Sequence, residues 1–193
     1  MRVFLAGATG VIGLRLVPLL VEAGHHVTGM TRSPAKVGLL TSAGAEAVVC
    51  DVFDTGALDL AVARSGPDLV MHQLTDLPDD ATRIEEFSSS HNRTRREGTR
   101  NLVAAAHSAG VGRFCAQSVA WVLPGEGGAA VTDLETTVLA YPGVVLRYGQ
   151  FYGPGTYHPR TPPPAPRVHI DEAARRTLAA LDTGPGVVTI VDE

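Results

Sequence analysis

Short apolar runs alternate with amphipathic, helix-like segments along the whole chain, and this alternation constrains the fold more than any other feature. Seven of the runs predict strands, at residues 2–6, 25–32, 45–51, 68–74, 112–118, 143–149 and 186–191. Because these runs are largely apolar without a break, we expect both of their faces to be covered, as in a parallel sheet. The helical patterns between them predict crossover helices. The chain is therefore predicted to be α/β, with a Rossmann-type, doubly wound parallel sheet.

The length of 193 residues predicts one domain over residues 1–193. Two segments interrupt the alternation. Residues 123–130, LPGEGGAA, are predicted to form a glycine-rich loop. Residues 153–167, GPGTYHPRTPPPAPR, hold too much proline for a helix or a strand, so we expect a stiff, extended connection there.

Composition excludes several classes of partner. The net charge of −4 gives no reason to expect nucleic acid or an anionic membrane surface, and no apolar run approaches the length of about 20 residues that spans a bilayer. The first residues lack the plan of a signal peptide, and both cysteines lie in apolar runs as expected of buried free thiols, so we expect a cytoplasmic protein. No cysteine or histidine spacing predicts a metal site.

Three glycines at a spacing of three follow the first predicted strand, in the stretch LAGATGVIG. Gly7 permits a tight turn, Gly10 lets the backbone approach a pyrophosphate closely, and Gly13 allows the following helix to pack near the strand. The amino terminus of that helix offers unpaired N–H groups to the phosphates. The stretch therefore predicts a dinucleotide-binding site. The alternative is a glycine-rich turn that binds no ligand.

Several ordered stretches resemble the short-chain dehydrogenase/reductase superfamily, especially its extended branch of nucleotide-sugar epimerases, dehydratases and related reductases. They are GATGVIG (7–13), CDVFD (50–54), EGTRNLVAAA (97–106), RFCAQS (113–118), LRYGQFYGPGT (146–156) and VHIDEAARRTLAAL (168–181). The resemblance implies an NAD(P) site. Its pyrophosphate residues would be Gly7, Thr9, Gly10, Val11 and Ile12, with Gly13 closing the same cofactor-binding turn. Its adenine residues would be Asp51 and Val52, and its ribose and nicotinamide residues Leu74 and Thr75.

The second strand ends in Thr31 and Arg32, where NAD-specific members of the superfamily carry an acidic residue. An arginine at this position can pair with a 2′-phosphate instead. We therefore expect NADP rather than NAD as the preferred cofactor. The alternative is an exposed charge at the end of a strand.

The superfamily usually reduces and oxidises with a serine, a tyrosine and a lysine four residues after that tyrosine. Ser118 matches the serine, but the only lysine, Lys36, lies in the second βα unit, so the tyrosine–lysine pair is absent. Tyr148 and Tyr152 are the candidate substitute acids, because the resemblance places them near the nicotinamide. Packing against the sheet is the alternative role for both. Weaker candidates are Tyr141, Asp133, Glu135 and His72.

The stretch HNRTRREGTR (91–100) carries two further features. Arg95 stands where the superfamily often has an asparagine, three residues before the Gly-Thr pair. Arg93, Arg96 and Arg100 share one helical face. The face is interpreted as a solvated surface or a homodimer contact, and the alternative is an anion clamp for a substrate.

The proline-rich loop stands in place of the substrate lid of extended members, so the C-terminal substrate region is much reduced and a large nucleotide-sugar is disfavoured. We therefore expect an NAD(P)-binding, epimerase/dehydratase-like enzyme that acts as a reductase on a small carbonyl substrate. Ser118 would polarise the carbonyl, and Tyr148, Tyr152 or water would supply the proton. The alternatives are a non-redox cyclase, isomerase or dehydratase of specialised metabolism, and a non-enzymatic NADP sensor or binding module.

Overall fold

The computed structural model describes residues 1–192, which form a seven-stranded parallel sheet with helices on both faces. The strands of the structure, in chain order, are β1 (Arg2–Ala6), β2 (His26–Thr31), β3 (Glu46–Val49), β4 (Leu69–His72), β5 (Phe114–Val119), β6 (Val144–Tyr148), β7 (Gln150–Tyr152), β8 (Arg167–His169) and β9 (Gly186–Ile190). The sheet order is β3-β2-β1-β4-β5-β6-β9, and every neighbouring pair is parallel. The predicted Rossmann-type, doubly wound sheet is confirmed.

Seven α-helices cover the sheet in the described part of the chain. They are α1 (Gly13–Glu22), α2 (Val37–Ser42), α3 (Thr55–Ser65), α4 (Ser88–Arg93), α5 (Thr99–Ser108), α6 (Gly125–Ala140) and α7 (Ile170–Ala180). Helices α1, α2 and α7 pack on one face, where Leu16 and Leu20 are buried with Met71 of β4. Helices α3, α5 and α6 pack on the other face, around Phe4 and Phe114. Each face therefore has its own apolar core, which explains why the strands are apolar without a break.

One predicted element is wrong. The glycine-rich stretch 123–130 is not a loop, because α6 begins at Gly125. Gly125 has a φ of +56°, a left-handed conformation that favours glycine. The helix then continues because Ala130, Leu134 and Val138 recur every four residues and bury the same stripe in the core.

The proline-rich connection has no helix or strand before Arg167, as predicted, but its start is not extended. It lies between β7 and β8, which form a separate two-stranded parallel sheet. The amide of Gly153 donates to the carbonyl of His158 at 3.0 Å, so the start of the connection folds back on itself. Arg15 of α1 donates to the carbonyl of Pro154 at 2.5 Å, and this contact joins the connection to the first helix.

The strand order reverses between β1 and β4, and this reversal creates a crevice at the carboxyl ends of the two strands. The glycine turn after β1 and the segment after β4 form its two sides.

Across residues 1–192, no helix combines the length and the apolar character needed to cross a membrane. Cys50 and Cys115 are both buried free thiols, as predicted.

Candidate functional site

The glycine turn lies directly against the end of β4. Gly7 has a φ of +86°, and a Cβ added there would overlap the backbone of Gln73. A Cβ added to Gly13 would overlap the backbone of Gly7 and Ala8. Gly10 differs from both, because a Cβ there would meet only the carbonyl oxygen of Gly7, at 3.3 Å. Gly7 and Gly13 are therefore required by the fold itself, whereas Gly10 leaves an open approach to the backbone.

The turn also presents N–H groups that the protein does not use. Within residues 1–192, the amides of Thr9, Val11 and Ile12 have no hydrogen-bond acceptor, and they stand at the amino terminus of α1. Free amides at a helix amino terminus attract an anion, because they add to the positive end of the helix dipole. The residues present therefore fit the pyrophosphate of a dinucleotide.

The residues predicted to contact the adenine, the ribose and the nicotinamide all lie at the same edge of the sheet. Asp51 and Val52 follow β3 by two and three residues, and Leu74 and Thr75 follow β4 by the same spacing. Asp51 and Thr75 are exposed, Leu74 is half-buried, and Val52 is buried. The carbonyl of Val52 accepts a hydrogen bond from the Asn101 side chain at 3.0 Å, which fixes this loop on α5. The contacts of these residues with a cofactor stay predictions.

Arg32 is held by a residue that the sequence analysis missed. Its Nη2 lies 2.6 Å from Oδ1 of Asp76, four residues beyond the end of β4, and its side chain is 68% exposed. The amide of Asp76 donates to Nδ1 of His91 at 3.2 Å. Burial acts to raise the pKa of Asp76, but hydrogen bonds from Ser90 and Arg32 outweigh burial and hold this pKa below its usual value. Asp76 is therefore ionised, and it fixes the guanidinium at the crevice. The only sequence signal of this contact is the acidic stretch TDLPDD (75–80) after β4.

Ser118 is committed to a carboxylate on α6. Its hydroxyl donates to Oε1 of Glu135 at 2.6 Å, and Arg147 donates to both oxygens of the same carboxylate, at 2.9 and 2.5 Å. Burial acts to raise the pKa of Glu135, but the hydrogen bonds from Arg147 and Ser118 hold it below its usual value. Because a serine hydroxyl has a single hydrogen, Ser118 cannot polarise a carbonyl while it makes this bond. The cluster of Ser118, Glu135 and Arg147 was not foreseen as a unit.

The face of α6 that carries Glu135 continues toward the crevice without an acid or a base. Residues three or four apart share one face of a helix, so Val131 and Thr132, and then Gly127 and Gly128, lie on this face at successive turns toward the amino end. That end of α6 is at the carboxyl edge of the sheet, since the helix follows β5. This face of α6 therefore carries no acid or base between Glu135 and the amino end of the helix.

The hydroxyl of Tyr148 is inside the core. Tyr148 is 2% exposed and packs on the α1/α7 face of the sheet, whereas Ser118 contacts α6 on the opposite face. Thr177 donates its own hydrogen to the carbonyl of Ala173, so the Tyr148 hydroxyl donates to Thr177, at 2.6 Å. Gln73 donates to the same hydroxyl at 3.3 Å. Burial raises the pKa of Tyr148. The structure therefore does not bring this candidate acid to Ser118 or to the crevice.

Tyr152 is also engaged elsewhere. Its hydroxyl donates to Asp192 at 2.7 Å, and its ring meets the ring of His169 edge-on. The hydrogen bond to Asp192 raises the pKa of Tyr152. A tyrosine that already donates to a carboxylate is a poor acid for a substrate.

The weaker candidates also have structural partners. Tyr141 donates to the carbonyl of Val111, and Asp133 pairs with Arg96 at 2.7 Å. His72 is 1% exposed.

The protonation of His72 follows from its partners. Thr99 donates its hydrogen to the carbonyl of Arg95, so Nε2 of His72 donates to Thr99, at 3.0 Å, while Nδ1 accepts the amide of Leu74 at 3.1 Å. Burial lowers the pKa of His72 to about 4. His72 is therefore a neutral residue that orients the segment after β4.

Two of the three arginines on the predicted face are neutralised. Arg93 pairs with Glu97 at 2.7 Å, and Arg96 pairs with Glu126 and Asp133 at 2.9 and 2.7 Å. Arg100 is exposed. These ion pairs weaken the interpretation of the face as an anion clamp, and the homodimer contact stays a prediction. No group of three or more His, Cys, Asp or Glu residues in the described chain could hold a metal ion.

A family model described as NAD(P)H-binding matches residues 7–140. Over 236 aligned residues the chain is 34% identical to a 3-diazoavenalumate denitrifying reductase from Streptomyces sp, with 100% of this chain and 76% of that protein covered. It is also 37% identical to a 3-beta-hydroxysteroid dehydrogenase from Mycolicibacterium neoaurum, over 58% of this chain and 30% of that protein. The chain belongs to the NAD(P)H-binding family, and it is an NAD(P)-dependent enzyme with a reductase among its relatives.

Solved structures share the fold at low sequence identity. A UDP-glucose 4-epimerase from Thermotoga maritima with UDP-glucose superimposes with a TM-score of 0.78 at 20% identity, covering 99% of this chain and 77% of that chain. A UDP-glucose 4-epimerase from Thermus thermophilus in complex with NAD gives 0.78 at 19% identity, covering 99% and 78%. The predicted epimerase/dehydratase-like fold is confirmed.

Proposed function

We propose that the chain is an NAD(P)H-dependent reductase that transfers a hydride to a small electrophile whose reduction needs no proton from the protein. The single observation that carries the proposal is the hydrogen bond from Ser118 to Glu135, next to a helix face with no acid or base. A cytoplasmic setting belongs to the same proposal, because a family member that uses NAD(P)H draws on the cofactor pool of the cell.

The burial of the candidate acids supports this proposal. In the superfamily that the sequence resembles, a tyrosine passes the proton. Tyr148 lies in the core here, and Tyr152 donates to Asp192. The chain also has no lysine besides Lys36, which lies in a short 3₁₀ segment before α2. A substrate whose reduction consumes only a hydride would need neither the tyrosine nor the lysine.

A diazonium group is a substrate of this kind. When the group is replaced by hydrogen, a C–H bond forms, the C–N bond breaks, and its electron pair leaves with N2. The hydride supplies both electrons, so the carbon is reduced, the cofactor is oxidised and no proton is consumed. The name of the Streptomyces relative describes reductive removal of nitrogen from a diazo compound that is also a carboxylate. We extend this chemistry to the present chain, with a small diazonium compound as the substrate class.

The cofactor would be held by the glycine turn and the edge residues already described, and when bound its nicotinamide supplies the hydride. The amides of Thr9, Val11 and Ile12 would bind the pyrophosphate. We propose a preference for NADPH, because Arg32 uses one nitrogen for Asp76 and retains further N–H donors for a 2′-phosphate.

Reduction of a small carbonyl is the second candidate, and the position of Ser118 at the carboxyl end of β5 favours it. This reaction consumes a proton, which would have to come from water. It would also require the Ser118 hydroxyl to leave Glu135.

One matched pair of substrates separates the two candidates. We would compare 4-carboxybenzenediazonium with 4-formylbenzoate, which share a ring and a carboxylate and differ in the group that accepts the hydride. Oxidation of NADPH is followed by absorbance, against heat-denatured enzyme to subtract spontaneous reaction. We expect the diazonium compound to be reduced at least about tenfold more efficiently, which corresponds to about 1.4 kcal/mol. Efficient reduction of the aldehyde alone would favour the second candidate.

A further inference from the structure

The guanidinium of Arg95 is half-buried and has no carboxylate partner in the part of the chain that the structure describes. Its one side-chain hydrogen bond is to Oδ1 of Asn92, at a long 3.4 Å. Burial lowers the pKa of Arg95, since no neighbouring anion offsets the loss of water. A partly desolvated cation without a counter-ion is costly, and proteins pair such groups unless a ligand completes them.

The two neighbouring arginines, unlike Arg95, have acidic partners. Arg93 and Arg96 both pair with carboxylates although the side chains of both arginines are partly exposed to water. Arg95 lies between them in sequence but forms no ion pair with these acids. Its isolation is therefore specific to one position on the helix.

Arg95 lies in a segment whose backbone departs from a regular α-helix. Residues Thr94–Gly98 form a π-helical turn between α4 and α5. The extra residue in such a turn shifts the side chains relative to a regular α-helix, and π turns often occur at functional sites. The sequence R-R-E-G gives no direct signal of this change.

A chain of hydrogen bonds fixes this turn at the carboxyl end of β4. The carbonyl of Arg95 accepts the hydroxyl of Thr99, which in turn accepts Nε2 of His72, the last residue of β4. Burial is the main cause that lowers the pKa of His91, and the charge of Arg95 is the second. Nδ1 of His91 accepts a hydrogen bond from the amide of Asp76, in the segment after β4. The turn that carries Arg95 is therefore fixed beside the segment after β4, which forms one side of the crevice.

We propose that Arg95 binds an anionic group of the substrate, a carboxylate in the first instance, and so fixes the electrophile in the crevice. A guanidinium offers two parallel N–H donors to the two oxygens of a carboxylate, and such pairs are stronger when partly desolvated. The binding of the anion does not depend on the proposed reaction, whereas its identity as a substrate rests on the proposed reductase function. The substrate class is then a small molecule with one carboxylate.

The test is a binding measurement with unreactive probes, so that it does not depend on turnover. Benzoate and cinnamate are titrated by calorimetry into the protein saturated with NADP⁺, and benzamide and cinnamamide serve as neutral partners of the same shape. We expect the wild type to bind the carboxylates about 10- to 100-fold more tightly than the amides. Arg95→Gln should remove this difference, and Arg95→Lys should keep part of it.

Controls separate the substrate anion from the phosphates of the cofactor. NADPH and NADH are titrated into the same variants by fluorescence, and we expect Arg95→Gln to leave both dissociation constants within about twofold of wild type, which also reports that the variant is folded. Arg96→Gln, which removes a paired arginine of the same turn, should leave the carboxylate preference intact.

The alternative outcomes are distinct. Equal binding of carboxylates and amides by the wild type, or an unchanged preference in Arg95→Gln, overturns the proposal. Loss of cofactor binding in both Arg95 variants, with Arg96→Gln normal, would reassign the guanidinium to a cofactor phosphate and overturn it too. A carboxylate preference that depends on Arg95 supports it, even if neither 4-carboxybenzenediazonium nor 4-formylbenzoate is reduced. In that case the proposed reaction fails while the anion site stands.

Discussion

Ser118 and Glu135 are joined by a 2.6 Å hydrogen bond, and Arg147 donates to both oxygens of the same carboxylate. The bond turns a candidate catalytic hydroxyl into part of a structural cluster that joins β5, α6 and β6. The proposed reaction at this crevice therefore relies on the cofactor and on how the substrate is held, and not on a protein acid.

Ser118→Ala tests this relationship. We expect kcat to fall by less than about tenfold and the free energy of unfolding to fall by about 1 kcal/mol, because Glu135 keeps both bonds to Arg147. Steady-state kinetics and urea unfolding measure the two quantities. A loss in kcat of about 100-fold or more with unchanged cofactor affinity would instead identify Ser118 as a catalytic residue.

Gly10→Ala and Gly13→Ala form a matched pair at the glycine turn. A Cβ at Gly10 meets only one backbone oxygen, so we expect normal stability and at least a tenfold weaker binding of NADPH. A Cβ at Gly13 overlaps backbone, so this variant should lose about 1–3 kcal/mol of stability. Thermal unfolding and cofactor titration distinguish the two effects. Unchanged NADPH affinity in Gly10→Ala would show that the pyrophosphate does not approach this backbone.

Arg32→Gln tests the choice of cofactor. Loss of a charge-assisted hydrogen bond to the 2′-phosphate should weaken NADPH binding about tenfold while the dissociation constant of NADH changes less than twofold. Both constants are read from nicotinamide fluorescence. If both cofactors weaken equally, or neither does, Arg32 serves only to pair with Asp76.

The two buried histidines predict a loss of stability in mild acid. Burial lowers the pKa of His72 to about 4 and that of His91 to about 3, so below about pH 6.5 the unfolded chain binds more protons than the folded one. Stability from these groups is complete above pH 6.5 and is lost as pH falls, on the order of 3 kcal/mol per histidine by pH 4. Urea unfolding from pH 7 to pH 4 measures the slope.

A substitution separates the histidines from the carboxylates. His72→Gln cannot take up a proton, so its stability should depend less steeply on pH between 6.5 and 4 than that of the wild type. Parallel slopes for the two proteins would mean that His72 does not titrate on unfolding in this range.

The sequence was sufficient for the sheet and for the glycine turn because both depend on local patterns. Apolar runs and their spacing predict buried strands, and Gly7 and Gly13 are required by contacts within the first βα unit and with the neighbouring strand. The glycine-rich start of α6 was mispredicted because composition outweighed the four-residue spacing of Ala130, Leu134 and Val138.

The site depended on contacts between distant parts of the chain, which no local pattern encodes. Asp76 meets Arg32 across 44 residues, and Glu135 meets Ser118 across 17. The absence of the tyrosine–lysine pair was visible in the sequence. The burial of Tyr148 was not, because the same pattern suits a packed tyrosine and a catalytic one.

The most direct test of a hydride transfer without a protein acid is an isotope-tracing experiment. The enzyme reduces 4-carboxybenzenediazonium with NADPH in D2O, and the benzoate product is analysed by mass spectrometry and NMR, with N2 measured in parallel. We expect one N2 per NADPH oxidised, and hydrogen rather than deuterium at the carbon that carried the diazonium group. Deuterium at that carbon, or no turnover above the denatured-enzyme control while 4-formylbenzoate is reduced, would contradict the proposed reaction.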